Sequence, residues 1–173
     1  MKRFMIVVVS VVLVMGLAGS AMAANSMRQG ELGISVGVGD DSMIAGKYFV
    51  NNDLAALLGF QFMNQKSGTD IGLLVGARKY LKKDDFTPYM EAGVSYMSSS
   101  VDLDVLGITV TTDTTVLGLF GNYGFEYFFH KQFSVEGSVG VALESTSVDV
   151  GGTSTSSTLL TTRTTGVRAT FYF

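Results

Sequence analysis

Little in this sequence is equipped for covalent catalysis. It holds one histidine, His130, and no cysteine. A serine nucleophile needs a base within hydrogen-bond reach, most often a histidine. His130 stands in the short polar stretch His130-Lys131-Gln132, where a solvated turn residue is the simpler reading. The lack of cysteine excludes disulfides and thiolate metal sites, and the aspartates do not follow calcium-loop spacing. No cofactor and no metal are expected. The carboxylates remain. All ten aspartates (40, 41, 53, 70, 84, 85, 102, 104, 113, 149) fall in or beside turn-like clusters, the usual place for a residue depleted in strands. The five glutamates, Glu31, Glu91, Glu126, Glu136 and Glu144, fall within alternating apolar segments, each on the polar side. Glutamates buried there need cations. Arg78 and Arg168 share their side, and Lys47 is a further candidate. Paired carboxylates can do acid–base work, but no substrate cleft is evident, and the chain is not expected to be an enzyme.

The elements that must position these groups are strands. From Glu31 to Val38, Leu32, Ile34, Val36 and Val38 fall on one face and Glu31, Gly33, Ser35 and Gly37 on the other, the period of a half-buried strand. The same split recurs between turn-type clusters. It predicts eight strands over about 29–38, 43–50, 54–64, 71–81, 87–101, 114–128, 133–147 and 158–173. The connections alternate. Gly39 to Ser42, Asn64 to Asp70, Asp102 to Asp113 and Val148 to Ser157 form one set. Asn51 to Asp53, Lys82 to Phe86 and Phe129 to Gln132 form a shorter one. Even strand number, short turns at one end and longer loops at the other describe a transmembrane β-barrel. The expected fold is therefore all-β, an eight-stranded antiparallel up-and-down transmembrane barrel. One face is apolar, with Leu117, Leu119, Tyr123, Phe125 and Tyr127, then Phe133, Val135, Val139, Val141 and Leu143, then Val167, Ala169, Phe171 and Phe173. The other is small or polar: Gly93 and Ser95, Asn122 and Gly124, Ser138 and Gly140, Thr164 and Gly166. A soluble barrel would carry more charge on its polar face.

Hairpin symmetry then places the charges. A hairpin centred near Asp84-Asp85 sets Arg78 across from Glu91, and one centred on Lys131 sets Glu126 across from Glu136. Facing carboxylates repel, so a cation from another strand is expected between them. The expectation is a lumenal network of Glu31, Arg78, Glu91, Glu126, Glu136 and Arg168. A narrow barrel is normally filled by its own side chains, so a rigid polar filling is the simplest role; a gate or ion path is the alternative.

Composition agrees with this. The 173 residues are 47 % hydrophobic and only 16 % charged, with 21 glycines and a net charge of −3. That balance excludes a disordered chain and disfavours nucleic-acid binding. Part of the apolarity lies in Met1 to Ala23, where a basic start precedes the apolar run Phe4 to Leu17 and Ala21-Met22-Ala23 closes it. This is the pattern of a cleaved secretory signal peptide, too short for a membrane helix. Residues 24–173 are then the barrel domain.

The third long connection has a pattern of its own. Val101, Leu103 and Val105 alternate with Asp102 and Asp104, and Ile108 and Val110 alternate with Thr109 and Thr111, with Leu106-Gly107 near the tip. Asp102 to Ile108 is therefore read as a hairpin standing beyond the membrane. Its unpaired edges and apolar side could receive a partner strand. Thr153 to Thr158 is read as a flexible loop.

Gly76-Ala77-Arg78-Lys79-Tyr80, Thr87-Pro88-Tyr89-Met90-Glu91-Ala92-Gly93, Gly124-Phe125-Glu126-Tyr127 and the terminal Phe171-Tyr172-Phe173 resemble the small eight-stranded outer-membrane barrel family that includes the OmpA transmembrane domain and the OmpX-like proteins. The resemblance covers the barrel as an architecture. It implies the outer membrane of a Gram-negative envelope, with outer-membrane lipid around the wall. It also implies that Phe171, Tyr172 and Phe173 contribute the C-terminal signal read by the barrel assembly machinery. No peptidoglycan tether is expected. The expected role is non-catalytic, structural or surface-interacting through the outer hairpins, with an extracellular protein or surface ligand as partner. A small porin-like channel is the alternative, and a lipid A-modifying enzyme comes behind both.

Overall fold

The computed structural model describes residues 27–38, 43–65, 68–105 and 108–173. The expected signal peptide and the connection Gly39 to Ser42 lie outside these residues. Eight antiparallel strands close into a ring in sequence order. They are β1 (Leu32–Val38), β2 (Ile44–Asn51), β3 (Leu54–Gln65), β4 (Gly68–Tyr80), β5 (Phe86–Val105), β6 (Ile108–His130), β7 (Phe133–Val150) and β8 (Thr153–Tyr172). Closure comes from β1 pairing with β8, from Gly33 opposite Tyr172 to Val38 opposite Val167.

Alternation decides which side chains enter the ring. Leu58, Phe60, Val75, Leu119, Val139, Leu143 and Val167 are exposed on the outer surface, while their neighbours in sequence turn inward. Aromatics collect on the outside near the short turns. Phe86 stacks on Phe125 with ring centroids 4.9 Å apart, and Tyr127 meets Phe129 edge-on at 4.7 Å. Phe171 meets Phe173 edge-on at 5.1 Å.

The strands run further than the hydrophobic pattern predicts at the end away from the short turns. Asn64 to Asp70 is not a long loop, because β3 and β4 stay paired up to Gln65 opposite Gly68. Val148 to Ser157 is not one either. Val150 pairs with Thr153, and the turn between them is Gly151 and Gly152, with φ of 58° and 85°. Two consecutive positive φ values are the requirement of a tight hairpin turn that glycine meets without strain. Thr153 to Thr158, expected as a flexible loop, is the first part of β8. β5 and β6 pair as far as Val105 opposite Ile108. The tip, Leu106 and Gly107, lies outside the described residues.

The wall is consequently uneven. β1 and β2 have 7 and 8 residues, whereas β5 to β8 have 18 to 23. At the height where β8 leaves β1, its register with β7 slips between Glu136 and Ser138. Glu136 faces Arg168 but Ser138 faces Thr165, so β8 carries one extra residue there, a β-bulge. The slip corrects one expectation. Thr164 does not continue the register of Arg168 and Thr170 and pairs with Val139.

Candidate functional site: the filled lumen and the free strand edge

The lumen is built in layers. Nearest the short turns, Phe49, Tyr80, Tyr89, Phe128 and Tyr172 form an aromatic floor with Met27 and Ala55. Phe49 stacks on Tyr80 at 5.5 Å and Phe128 on Tyr172 at 5.7 Å. Two residues further along several of the same strands stand the charges: Lys47 above Phe49, Arg78 above Tyr80, Glu126 above Phe128. Higher still, Leu57, Leu74, Phe120 and Ala142 form a second apolar layer with Met43 against it. The inner face is therefore not only small and polar. Segments such as Leu57-Leu58 and Leu119-Phe120 are apolar on both faces, and their inward members cap the charges.

Arg78 and Glu91 are paired directly across β4 and β5, and Glu126 and Glu136 directly across β6 and β7. Arg78 is fully buried and forks over three carboxylates. Its Nη2 donates to Glu91 Oε2 at 2.6 Å and to Glu136 Oε1 at 2.8 Å. Its Nη1 donates to Glu136 Oε2 at 2.5 Å and Glu126 Oε2 at 3.2 Å. Its guanidinium carbon lies 3.7 Å from the ring centroid of Tyr89, a cation–π contact. The second cation between the facing glutamates is Lys47. Its ammonium donates to Glu126 Oε2 at 3.0 Å, Glu136 Oε2 at 2.9 Å and the Tyr172 hydroxyl at 2.9 Å. Arg168 completes the group, 3.7 Å from Glu136 Oε1. Lys47 is thus a central member, not a peripheral one. The signal for it was its place two residues before Phe49 on an inward face.

Glu126 accepts most. Besides the two cations, Tyr80 donates to it at 2.7 Å and Ser134 at 2.5 Å, and the Tyr172 hydroxyl donates to its Oε1. The cluster holds three cations, Lys47, Arg78 and Arg168, against three carboxylates, Glu91, Glu126 and Glu136. This is the condition under which burial of charge is tolerable. Glu31 does not join it. Its backbone carbonyl accepts from Phe49 N–H at 3.0 Å, and its carboxylate oxygen Oε2 is buried without a hydrogen bond among the described residues.

His130 closes β6 at a short turn, its Nδ1 accepting from the Gln132 N–H at 3.4 Å. Of the expected C-terminal signal, Tyr172 points into the lumen while Phe171 and Phe173 turn outward. Of the outer hairpin, Asp102 is exposed and accepts from the Thr111 hydroxyl at 2.8 Å. The side chains of Leu103, Asp104, Val105 and Ile108 lie outside the described residues.

One feature was not anticipated at its true place: the edge of β8. Its pairing with β1 stops at Val167, and among the described residues nothing pairs with it on that side from Thr153 to Gly166. Every residue from Thr153 to Leu160 is exposed.

No family model matches the chain, and no curated protein matches it. Among solved structures, the chain is similar to the N-terminal β-barrel domain of Pseudomonas aeruginosa OprF. The TM-score is 0.55 at 14 % sequence identity, and the match covers 84 % of this chain and 98 % of that one. At that identity the likeness concerns the fold. With the closed ring of eight antiparallel strands, it establishes this chain as an all-β barrel of the kind seen in the OprF N-terminal domain.

Proposed function

We propose that the protein is a non-catalytic outer-membrane barrel that presents strand edges at the cell surface for interaction with other molecules. The apolar outer band, with aromatics gathered near the short turns, suits lipid contact, and the likeness to the OprF barrel supports the same location. On this reading residues 1–23 are the export signal, the short turns face the periplasm, and Phe171 and Phe173 belong to the strand read by the assembly machinery. The observation that carries the interaction role is the edge of β8 from Thr153 to Gly166, which pairs with no strand among the described residues. Such edges are normally guarded by lysine, proline or a covering loop. Here Thr153 to Thr162 holds no charge and no proline, and the bulge lies at its base. A barrel wall built only to span a membrane needs no such extension. The lumen fits the same role. The aromatic floor and the Leu57-Leu74-Phe120 layer enclose the charges, so the network serves as a rigid filling, and a porin-like path has no support from the packing. His130 at the short-turn end is badly placed for an enzyme acting on outer-leaflet lipid A.

The test is a chain whose β7–β8 hairpin is cut back to Ser145 and Thr158 and rejoined through Gly-Gly. Cells expressing it are expected to lose adherence to surfaces and to other cells while the protein keeps the heat-modifiable gel migration of a folded barrel. Unchanged adherence would sink the role of this edge. Stable single-channel conductance in planar bilayers that changes in Arg78→Ala would instead establish the pore.

A further inference from the structure

We infer that the segment received by the free β8 edge is an extended cationic peptide strand with its basic side chains on the outward face, an inference that rests on the strand-addition reading above. Three features select it. The first is the edge itself, which offers backbone hydrogen bonds to an extended segment.

The second is a reversal of polarity along the wall. In the band assigned to lipid, the outer face is apolar. Above Tyr96 and Leu117, the outward row becomes Ser98, Thr115, Ser147 and Ser156, and the next becomes Ser100, Asp113, Asp149 and Ser154. The inward face at that height is mixed: Met97, Val101, Val110, Val116, Val148 and Val150 stand among Ser99, Thr112, Thr114 and Thr146, and β8 itself contributes Thr153, Thr155 and Ser157. A strand added beside β8 continues both faces. Its inward side chains adjoin the hydroxyls of Thr153, Thr155 and Ser157, and its outward ones extend a surface of hydroxyls and carboxylates. The outward positions of the added strand, every second residue, are therefore polar.

The third is charge. Asp113 and Asp149 are direct cross-strand neighbours, an arrangement that costs stability on its own. The stretches 97–116 and 146–162 hold Asp102, Asp104, Asp113 and Asp149 and no lysine or arginine. A strand added at β8 lies two strand spacings from β7, about 10 Å, within reach of a lysine or arginine side chain directed back across β8. The polar residues of the partner are therefore basic.

The test uses the full chain in lipid nanodiscs and three ten-residue probes measured by fluorescence anisotropy. The first alternates lysine and valine, and the second glutamate and valine. The third is the lysine probe N-methylated at two adjacent central residues, which blocks both of its edges. The lysine–valine probe is expected to bind at least tenfold more tightly than either of the others. The double variant Asp113→Asn with Asp149→Asn, which relieves a repulsion and keeps the side-chain oxygens, is expected to weaken its binding about fivefold at 10 mM salt and less than about twofold at 150 mM, following the change in screening length. Equal binding of the glutamate probe overturns the cationic preference and leaves strand addition standing. Equal binding of the N-methylated probe overturns strand addition itself, and the inference with it. No binding of the lysine–valine probe at millimolar concentration overturns the inference.

Discussion

Replacing Arg78 by methionine removes the group that three carboxylates share. The side chain is close in length and apolar, so packing against Tyr89 is largely kept and the loss is mainly of charge. Arg78 makes five hydrogen bonds, two to Glu91, two to Glu136 and one to Glu126. Without it, Lys47 and Arg168 face three carboxylates, and Glu91 keeps only the Asn122 amide, which donates to its Oε1 at 3.3 Å. Removing one partner of a buried pair typically costs about 3–5 kcal/mol, and the fully enclosed position of Arg78 puts this substitution at the upper end. Glu91→Gln alone should cost less, about 2 kcal/mol, because the amide oxygen still accepts from Arg78. The double variant Arg78→Met with Glu91→Gln restores two cations against two carboxylates. It should therefore be more stable than the sum of the single effects by about 2 kcal/mol, the signature of coupled neighbours. The chain has no tryptophan, so unfolding by urea in lipid vesicles is followed by circular dichroism and gel migration. If Arg78→Met stays within about 1 kcal/mol of the parent, or if the double variant is simply additive, the cluster is not the energetic centre of the lumen.

Three further outcomes follow from the wall. A β-carbon at Gly140 would meet the Asn122 side chain and the Gly121 carbonyl, whereas one at Gly137 meets nothing within 4 Å. Gly140→Ala should cost about 1–3 kcal/mol and Gly137→Ala should stay within about 0.5 kcal/mol, both read by the same denaturation. Tryptophan placed at Leu119 should be quenched strongly by brominated lipid, and tryptophan at its inward neighbour Phe120 weakly; equal quenching would refute the assignment of faces. Gly152→Val places a β-branched residue at φ 85° and should destabilise the β7–β8 hairpin by about 1–3 kcal/mol, seen as faster amide exchange from Val148 to Thr155 and unchanged exchange around Arg78.

The fold was legible where apolar and polar residues alternate, because lipid and lumen impose opposite chemistry on successive side chains. Leu117 to Tyr127 shows this plainly. The same logic hid the upper strands. Between Thr109 and Thr115, and between Thr153 and Thr158, serine and threonine occupy both faces, so no contrast marks a strand, and hydroxyl-rich sequence reads as loop. Gly151-Gly152 was the turn signal that could have shortened that loop. The facing pairs Arg78 with Glu91 and Glu126 with Glu136 were legible from hairpin symmetry alone. Arg168 could be placed opposite Glu136 only by counting back from the C-terminus, since counting forward crosses the bulge. The inner layers of Leu57, Leu74 and Phe120 were illegible from alternation. Their neighbours are apolar too, and only the closed ring tells which of two apolar residues points inward.

The extra residue in β8 acts like a frameshift between two messages written on one strand. From Val167 to Phe173 the odd positions face out; before the bulge, Thr158, Leu160 and Thr162 face out, opposite Ser145, Leu143 and Val141. Deleting one residue within Thr165-Gly166 would rejoin the two frames. Arg163, which lies 5.2 Å from the Phe120 ring inside the barrel, would stay inward and Leu160 outward, because the residue removed is the extra one. A single-codon deletion there is expected to leave insertion intact, because it removes the one residue without a place in the β7 register and moves no other side chain to the opposite face.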